Sequence, residues 1–322
     1  MRDLRVISVV LAFTLAAGCG SKKSPEGEGS GSGSGSGLVA VGSGSGQILA
    51  IDPAEAAKQY DTACVANNFE ACRNLGVLYA QGTGVPKDEA RGAALFAQAC
   101  NGNNLAACNQ LGVAMAQGAG VPRDGKRAAE LYDKACGGGY TPSCGNLGLL
   151  LRDGDGVPAD PAKAMTLLDR ACKAGMALAC NHAGDLDWML AQKAADEAAK
   201  KPHVKDMLEH FTKGCNARDA ASCRKIGIAY LEGYGLPKTA STAVVWLERA
   251  LRLASDPIAM RYLGFMKLAG AGTAQDASAG LALLERACAA QDEVACRAKA
   301  TAAGGGSGSA SAPADAGVTD AK

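Results

Sequence analysis

Apolar residues recur at helical spacing through most of the chain, and turn residues interrupt them at regular intervals. After Cys72, for example, Leu75, Leu78 and Tyr79 lie at i, i+3 and i+4, which is typical of an amphipathic helix. A Gly-x-Gly-Val-Pro turn follows, in which glycine supplies a left-handed terminus and proline cannot continue the helix. A second apolar stretch then runs from residue 94 to Cys100. Each such unit therefore predicts two helices joined by a tight turn.

The same unit returns along the chain with a fixed period. The turn recurs at residues 82–86, 118–122, 154–158 and 233–237. The residues placed to cap the second helix are Asp88, Asp124, Asp160 and Asp276. Cysteines that open successive units lie 36 residues apart, and a period of this size is typical of helical-repeat solenoids. We therefore predict an all-α, right-handed solenoid of about seven helix pairs over residues 51–300.

Two units depart from this pattern. Residues 190–214 lack the Gly-x-Gly-Val-Pro turn, and the step to Cys215 is 43 residues instead of 36, which predicts a longer helix. The unit around residues 251–260 has Leu251 and Met260 where the others have cysteines. We expect this second unit to be the weakest joint of the array, because nearest-neighbour contacts stabilise such proteins.

One glycine lies in the middle of the first helix of every unit. A glycine inside a helix costs about 1 kcal/mol relative to alanine. Its return at one register predicts a close helix–helix crossing at which no Cβ atom fits. These glycines are Gly76, Gly112, Gly148, Gly184, Gly227 and Gly264.

Composition supports a helical core and excludes one class of partner. Hydrophobic residues make up 48% of the 322 residues but aromatic ones only 4%, whereas sheets draw on aromatic and β-branched residues. The formal net charge is +1, so the chain lacks the basic surplus of a nucleic-acid-binding protein.

The first residues predict export. Arg2 and Arg5 precede an apolar run over residues 6–17, which is too short to span a membrane and suits a signal peptide. The run ends at Cys19 in a sequence that resembles a bacterial lipobox, so residues 1–18 are predicted to be a lipoprotein signal peptide. An ordinary secretory signal with a chance cysteine is the alternative. Residues 19–50 would be a lipidated cysteine with a Gly/Ser-rich linker, and residues 301–322 a disordered tail.

The remaining twelve cysteines form six pairs, each with seven residues between its members. They are Cys64 and Cys72, Cys100 and Cys108, Cys136 and Cys144, Cys172 and Cys180, Cys215 and Cys223, and Cys288 and Cys296. Metal binding would favour short Cys-x-x-Cys clusters with histidine nearby, and redox catalysis would need one reactive site. An even count in an exported chain favours structural disulfides between neighbouring repeats, with no metal and no cofactor.

One register of the first helices carries hydrogen-bonding side chains. Two residues after the second cysteine of the first five pairs lie Asn74, Gln110, Asn146, His182 and Lys225, which we call the polar ladder. Amide side chains both donate and accept hydrogen bonds, so a stacked row could hold an extended peptide by its backbone. A solvated helix face is the alternative.

Two further patterns offer weaker chemistry. Ser222 and Lys225 match the Ser-x-x-Lys pattern of serine β-lactamases, but the companion Ser-Asp-Asn and Lys-Thr-Gly patterns are absent. His203 and His210 lie seven residues apart and could share a helix face, although no carboxylate or cysteine stands at a fixed spacing to complete a metal site. The sequence offers no convincing active site.

The pattern Leu-Gly-x-x-Tyr, then Gly-x-Gly-Val-Pro-x-Asp, then Ala-x-x-Leu-Phe-x-x-Ala-Cys resembles the Sel-one-like repeat, a relative of the tetratricopeptide repeat. The paired cysteines are similar to those of the cysteine-rich secreted branch, the Hcp proteins. This resemblance covers about residues 53–300. It implies a binding scaffold, and the Hcp branch also implies penicillin-binding or β-lactamase-type hydrolysis.

Three functions follow as expectations. The first is a non-enzymatic, lipid-anchored scaffold, which binds a protein or peptide of the cell envelope on the concave face of the solenoid. The second is the Hcp-like hydrolase, and the third is a structural envelope protein or secreted host-contact factor. We expect a monomer in the outer membrane, which faces the periplasm or the cell surface and is held to the lipid through Cys19.

Overall fold

The computed structural model describes residues 52–304, and these form fourteen α-helices and no strand. The helices are α1 Pro53–Val65, α2 Phe69–Gln81, α3 Glu89–Asn101, α4 Leu105–Gln117, α5 Gly125–Gly137, α6 Thr141–Asp153, α7 Pro161–Lys173, α8 Ala177–Lys193, α9 Glu197–Asn216, α10 Ala220–Glu232, α11 Ala240–Leu253, α12 Pro257–Ala269, α13 Ala277–Ala289 and α14 Glu293–Gly304. Cys19, the Gly/Ser-rich linker and residues 305–322 lie outside the described residues. None of the described helices combines the length and apolar content needed to cross a bilayer.

The helices form six antiparallel pairs, α2–α3 to α12–α13, with a single helix at each end of the array. The predicted all-α solenoid of about seven helix pairs is therefore confirmed. The last helix, α14, has Lys299 and Ala300 where α2 has Leu75 and Gly76. Lys299 forms an ion pair with Glu285 of α13, whereas the leucine at this register in α2 is buried.

Helix starts are fixed by side-chain caps. Asp88, Asp124, Asp160 and Asp276 each accept a hydrogen bond at 2.9 Å from the backbone N–H three residues further on, which confirms the predicted caps. The first helices of several repeats are capped in the same way, by residues that the sequence analysis did not identify. These caps are Asn68, Asn104, Asp219, Asp256 and Asp292. Replacing such a cap by alanine typically costs about 1 kcal/mol.

The mid-helix glycines lie where the two helices of a repeat cross. A Cβ atom on Gly76 would lie 2.7 Å from the ring of Phe96, and one on Gly148 would lie 2.8 Å from Leu168 Cγ. In all six repeats the opposing side chain comes from the second helix of the same repeat. The other four pairs are Gly112 with Tyr132, Gly184 with Phe211, Gly227 with Leu247, and Gly264 with Leu284. The predicted close crossing is confirmed.

Disulfides join the second helix to the first helix of the next repeat at every described joint except the one between α11 and α12. All six predicted cysteine pairs are bonded, with Cα–Cα distances of 4.5–4.9 Å. Each bond spans a three-residue joint between helices, as between Val65 and Phe69. Closing a loop of about nine residues contributes roughly 2.5 kcal/mol in the chain-entropy treatment.

The joint between α11 and α12 has no disulfide and a different backbone. Leu251 and Met260 take the cysteine positions and belong to one apolar cluster, in which Met260 is fully buried. The joint keeps its three residues, but it lacks the residue with positive φ that Asn67 and Asn103 provide elsewhere. The Arg224 Nε atom donates to Asp256 Oδ2 at 2.9 Å across this joint. Apolar packing of Leu251 and Met260 thus takes the place of the covalent link at this joint.

The fourth repeat is longer than the other described repeats, and one longer helix was predicted in it. Both of its helices are extended, α8 to 17 residues and α9 to 20, and Pro202 lies in the second turn of α9. In this repeat the crossing residue Phe211 comes 27 residues after Gly184, whereas Phe96 comes 20 residues after Gly76. The seven extra residues therefore lie between the two contact points and leave the crossing intact.

A buried ionisable cluster joins α7, α8 and α9 in this long repeat. His210 donates through Nδ1 to Asp187 Oδ2 at 2.6 Å, and its Nε2 atom lies 3.4 Å from Asp169 Oδ1. His210 is 8% exposed and Asp187 is 3% exposed. The hydrogen bond to Asp187 raises the pKa of His210, although burial opposes this effect. Burial raises the pKa of Asp187. The folded state thus holds protons more tightly at both groups than the unfolded state does.

Substitution Gly148→Ala tests the crossing. The new Cβ atom would lie 2.8 Å from Leu168 Cγ and 3.3 Å from the Ala164 carbonyl oxygen. We expect overpacking to lower the free energy of unfolding by about 1–3 kcal/mol, measured by urea denaturation, in spite of alanine's higher helix propensity. Gly137→Ala is the matched control, because a Cβ atom there meets nothing within 4 Å. This control should raise stability by up to about 1 kcal/mol, and equal losses in both variants would contradict the interpretation.

The ionisable cluster predicts a pH dependence of stability. Since the pKa of His210 is raised by folding, its contribution is complete below the unfolded value of about 6.5 and is lost as the pH rises through the folded value. The free energy of unfolding should therefore fall as the pH rises above about 6.5. In His210→Gln this decline should be smaller, because glutamine does not titrate. A decline of the same size in both proteins would show that other groups cause it.

Candidate functional site

The five residues of the polar ladder lie on the successive first helices α2, α4, α6, α8 and α10, and all are partly buried. Three residues further along, the same helix face carries aliphatic side chains in the first three repeats: Val77, Val113 and Leu149. These three are also partly buried. In α2, α4 and α6 the face therefore presents a row of amides beside a row of aliphatic side chains.

The ladder residues differ in what they already bind. Asn146 donates to Asn109 Oδ1 of the preceding repeat at 2.8 Å. Lys225 donates to Asn181 Oδ1 at 2.6 Å and to Asp185 Oδ1 at 2.5 Å. Among residues 52–304, the side chains of Asn74 and Gln110 have no hydrogen-bond partner. These two amides are therefore the members of the ladder that are free to bind a ligand.

Charged groups surround the downstream part of the ladder. Arg152 Nη1 lies 3.0 Å from His182 Nδ1. The other two guanidinium nitrogen atoms of Arg152, Nε and Nη2, donate to the carboxylate of Asp153. Burial lowers the pKa of Lys225, whereas its ion pair with Asp185 opposes this effect. The downstream ladder is thus a network within the protein and not an open row of donors.

The sequence analysis missed the register just before the ladder. In four first helices the residue immediately after the second cysteine, or after Met260, contacts the start of the next first helix. Asn109 accepts from Ser143 at 2.8 Å, and Asn181 donates to Asp219 at 2.6 Å. Arg261 donates to Asp292 at 3.0 Å. A signal was present in the sequence, because these residues follow the repeat period and two of their partners, Asp219 and Asp292, are helix caps.

The Ser-x-x-Lys pattern does not form a catalytic pair. Ser222 is fully buried, and its hydroxyl oxygen accepts from Asn181 Nδ2 at 3.1 Å. The ammonium group of Lys225 binds Asn181 and Asp185. A substrate cannot reach a hydroxyl in this position, so the pattern reflects a buried helix start.

The two histidines of α9 also have separate environments. His210 binds two aspartates, as described above, whereas His203 is only partly buried. Between residues 52 and 304, no three His, Cys, Asp or Glu side chains come together as a metal ion would require.

Comparison with protein families identifies the repeats. The family model of the Sel1 repeat matches residues 69–104, 105–140, 141–176, 220–255 and 257–292, which together make up more than half of the chain. The gap between the third and fourth matches holds α8 and α9, the extended repeat. No curated protein matches the chain.

Solved structures share the fold at low sequence identity. A protective antigen of uropathogenic Escherichia coli with an SLR fold is 23% identical over 74% of this chain and 50% of its own, with a TM-score of 0.66. The chain thus spans half the length of that antigen. A Sel1 repeat protein from Oxalobacter formigenes is 20% identical over 74% of this chain and 97% of its own, with a TM-score of 0.60.

The cysteine-rich protein B of Helicobacter pylori also matches, at 22% identity over 45% of this chain and 98% of its own. Its TM-score of 0.33 is too low to support an argument about function. Folds of this kind typically serve protein interaction and not catalysis. The repeat period, the glycine crossings and the matched segments lead to one conclusion: the chain belongs to the Sel1 repeat family.

Proposed function

We propose that this protein is a lipid-anchored extracytoplasmic scaffold that binds a protein or peptide along its first helices and carries out no reaction. The observation that carries the proposal is the pair of unbonded amides, Asn74 and Gln110, one repeat apart on the same face. An extended peptide offers both donors and acceptors along its backbone, and each amide side chain provides both.

The neighbouring aliphatic row supports the same site. Val77 and Val113 lie three residues beyond these amides on the same helix face, since residues i and i+3 of a helix are neighbours. A peptide whose backbone binds the amides would place alternate side chains over these valines, because successive side chains of an extended chain point to opposite sides. The proposed site therefore favours a peptide with apolar residues at alternate positions.

Contacts in the downstream repeats limit how far the proposed peptide site extends along the array. From α6 onward each ladder residue already has a partner within the protein. Asn146 binds Asn109, Lys225 binds Asp185, and His182 lies beside Arg152. Displacing such bonds would leave buried polar groups unpaired, which costs about 1–3 kcal/mol for each group. We therefore place the peptide over α2 and α4, with α6 at its edge.

The double variant Asn74→Ala/Gln110→Ala tests the site. Neither amide has an intramolecular hydrogen bond, so we expect stability to change by less than about 0.5 kcal/mol. Each lost hydrogen bond to a peptide should cost about 0.5–1.5 kcal/mol, and the pair should weaken binding by about 5- to 150-fold. The partner would be captured from envelope extract on the immobilised oxidised protein and its affinity measured by calorimetry.

The matched control lies on the second helices. Gln98 and Glu130 are exposed on α3 and α5, and within residues 52–304 neither side chain forms an ion pair or a hydrogen bond. Gln98→Ala/Glu130→Ala should leave the affinity unchanged. If this control weakens binding and the ladder variant does not, the proposed face is wrong.

The compartment is supported by the cysteines. Six disulfides in one chain indicate an oxidising, extracytoplasmic compartment, because reducing systems keep cytosolic thiols free. Cys19 follows a short apolar run and resembles a lipidation site, and the residue after it is Gly20, not the aspartate associated with retention in the inner membrane. We propose that the thiol of Cys19 carries the lipid and that the protein resides in the outer membrane.

Substitution Cys19→Ala tests the anchor. The variant should lose metabolic labelling by palmitate and should leave the membrane fraction, because no thiol remains at the lipidation position. Cys64→Ala is a control, since this residue forms a disulfide in the solenoid and its loss should leave labelling intact. Labelling that persists in Cys19→Ala would contradict the anchor without bearing on the peptide site.

A further inference from the structure

The second helices of adjacent repeats are linked by a repeated ion pair. Asp61 of α1 lies 3.8 Å from Arg91 of α3, and Asp133 of α5 lies 3.9 Å from Lys163 of α7. In each pair the acid is the ninth residue after the cap of one second helix, and the base is the third residue after the cap of the next. The acid at the same register of α7 is Asp169, which lies beside His210.

This series is broken between α3 and α5. The basic residue is present as Arg127, but the residue at the acidic register is Ala97. Among residues 52–304, no carboxylate forms an ion pair with Arg127, and its exposed guanidinium has no hydrogen-bond partner. One junction therefore has a cation at the usual place and no counterion.

A cavity occupies the place of the missing acid. It has a volume of about 320 Å³, and Ala97 and Arg127 both line it. Its walls carry the small side chains of Ala90 and Ala94 from α3, and Leu111 and Met115 of α4 form its apolar floor. Pockets that hold small organic groups begin at about 300 Å³, so the cavity has room for a large apolar side chain together with a carboxylate.

We propose that this cleft binds the C-terminal residue of a partner polypeptide that ends in a large apolar side chain. The terminal carboxylate would pair with Arg127 and supply the charge that Ala97 lacks, while the apolar side chain would cover Leu111 and Met115. A chain end carries both groups on one carbon atom, and it can enter a half-open cleft without the chain having to leave on the other side. The cleft lies between second helices, so this inference does not rest on the proposed peptide site of the first helices.

Three probe peptides test the inference against the oxidised full-length chain. The first is an acetylated Gly-Ser-Gly-Leu with a free C-terminus, the second is the same peptide amidated, and the third is an amidated peptide with an internal Glu-Leu pair. Binding is followed by amide and methyl NMR shifts. We expect the first peptide to shift Ala97, Met115 and Arg127 saturably and the amidated peptide to bind at least about fivefold more weakly.

Two variants separate the charge from the cavity. Ala97→Asp places an acid beside Arg127, as Asp61 lies beside Arg91, so the variant should fold with unchanged stability. Its affinity for the free-carboxylate peptide should be at least about tenfold lower, because Arg127 then has a counterion. Arg127→Gln should remove the difference between the free and the amidated peptide. Ala282→Asp, an exposed position on α13, is the matched control and should change nothing. Should Ala97→Asp fail to fold, Ala94→Leu fills the same cleft and should weaken all binding.

Several outcomes would overturn the inference. Absence of a saturable shift up to about 10 mM peptide excludes a chain-end site of useful affinity. Equal affinities of the free and amidated peptides exclude recognition of the carboxylate by Arg127. Tighter binding of the internal Glu-Leu peptide would assign the cleft to an acidic side chain and not to a C-terminus. Shifts confined to Asn74 and Gln110 would place the peptide on the first-helix face and leave the cleft empty.

Discussion

The contact between one glycine and one large side chain sets the geometry of every repeat. Gly76 of a first helix contacts the side chain of Phe96 on the second helix. Because Gly76 has no Cβ atom, the two backbones come so close that a Cβ atom there would lie 3.1 Å from the Gly92 carbonyl oxygen. Because this contact fixes where the helices cross, it also fixes where their ends lie. The turns and the joints can then recur with nearly identical lengths, and the extended fourth repeat keeps the contact although both of its helices are longer.

Joints between repeats are stabilised by two complementary devices. At most joints a disulfide holds the second helix to the next first helix, and the buried cysteines contribute to the apolar core. Polar contacts such as Asn181–Asp219 then connect successive first helices. At the joint between α11 and α12 only the second device remains, as the Arg224–Asp256 pair, and Met260 replaces the buried sulfur atoms. The helices therefore continue to stack at the one described joint that has no disulfide.

Local signals in the sequence predicted most of this fold. The caps at Asp88 and Asp124, the glycine turns and the spacing of Cys64 and Cys72 each depend on residues that are close together in the chain. Hydrogen bonds and ion pairs between side chains that are distant in the chain were not predicted, because they depend on how two helices pack. His210 and Asp187 are separated by 23 residues within an irregular repeat, so no period marked them as partners.

The candidate site was predicted only in part, for the same reason. Position along the repeat identified Asn74 and Asn146 as equivalent, but only the packing shows that Asn146 already binds Asn109. Likewise, the sequence does not show that Ala97 stands where an acid would pair with Arg127. This follows only from the ion pair of Asp61 and Arg91 at the same registers. Equivalent registers in a repeat protein thus share a position without sharing an environment.

The placement of the disulfides makes the chain unequally tolerant of proteolytic nicking. Each bond encloses a joint, such as the exposed segment between Cys64 and Cys72, so a cut there leaves the two fragments covalently attached. Among residues 52–304, no disulfide encloses the turn inside a repeat, such as the one from Gly82 to Pro86. A cut at such a turn leaves only the helix crossing to hold the two fragments together. In an oxidising compartment, cleavage inside a disulfide loop would therefore leave the fragments linked, whereas cleavage at a turn, or at the joint between α11 and α12, would not.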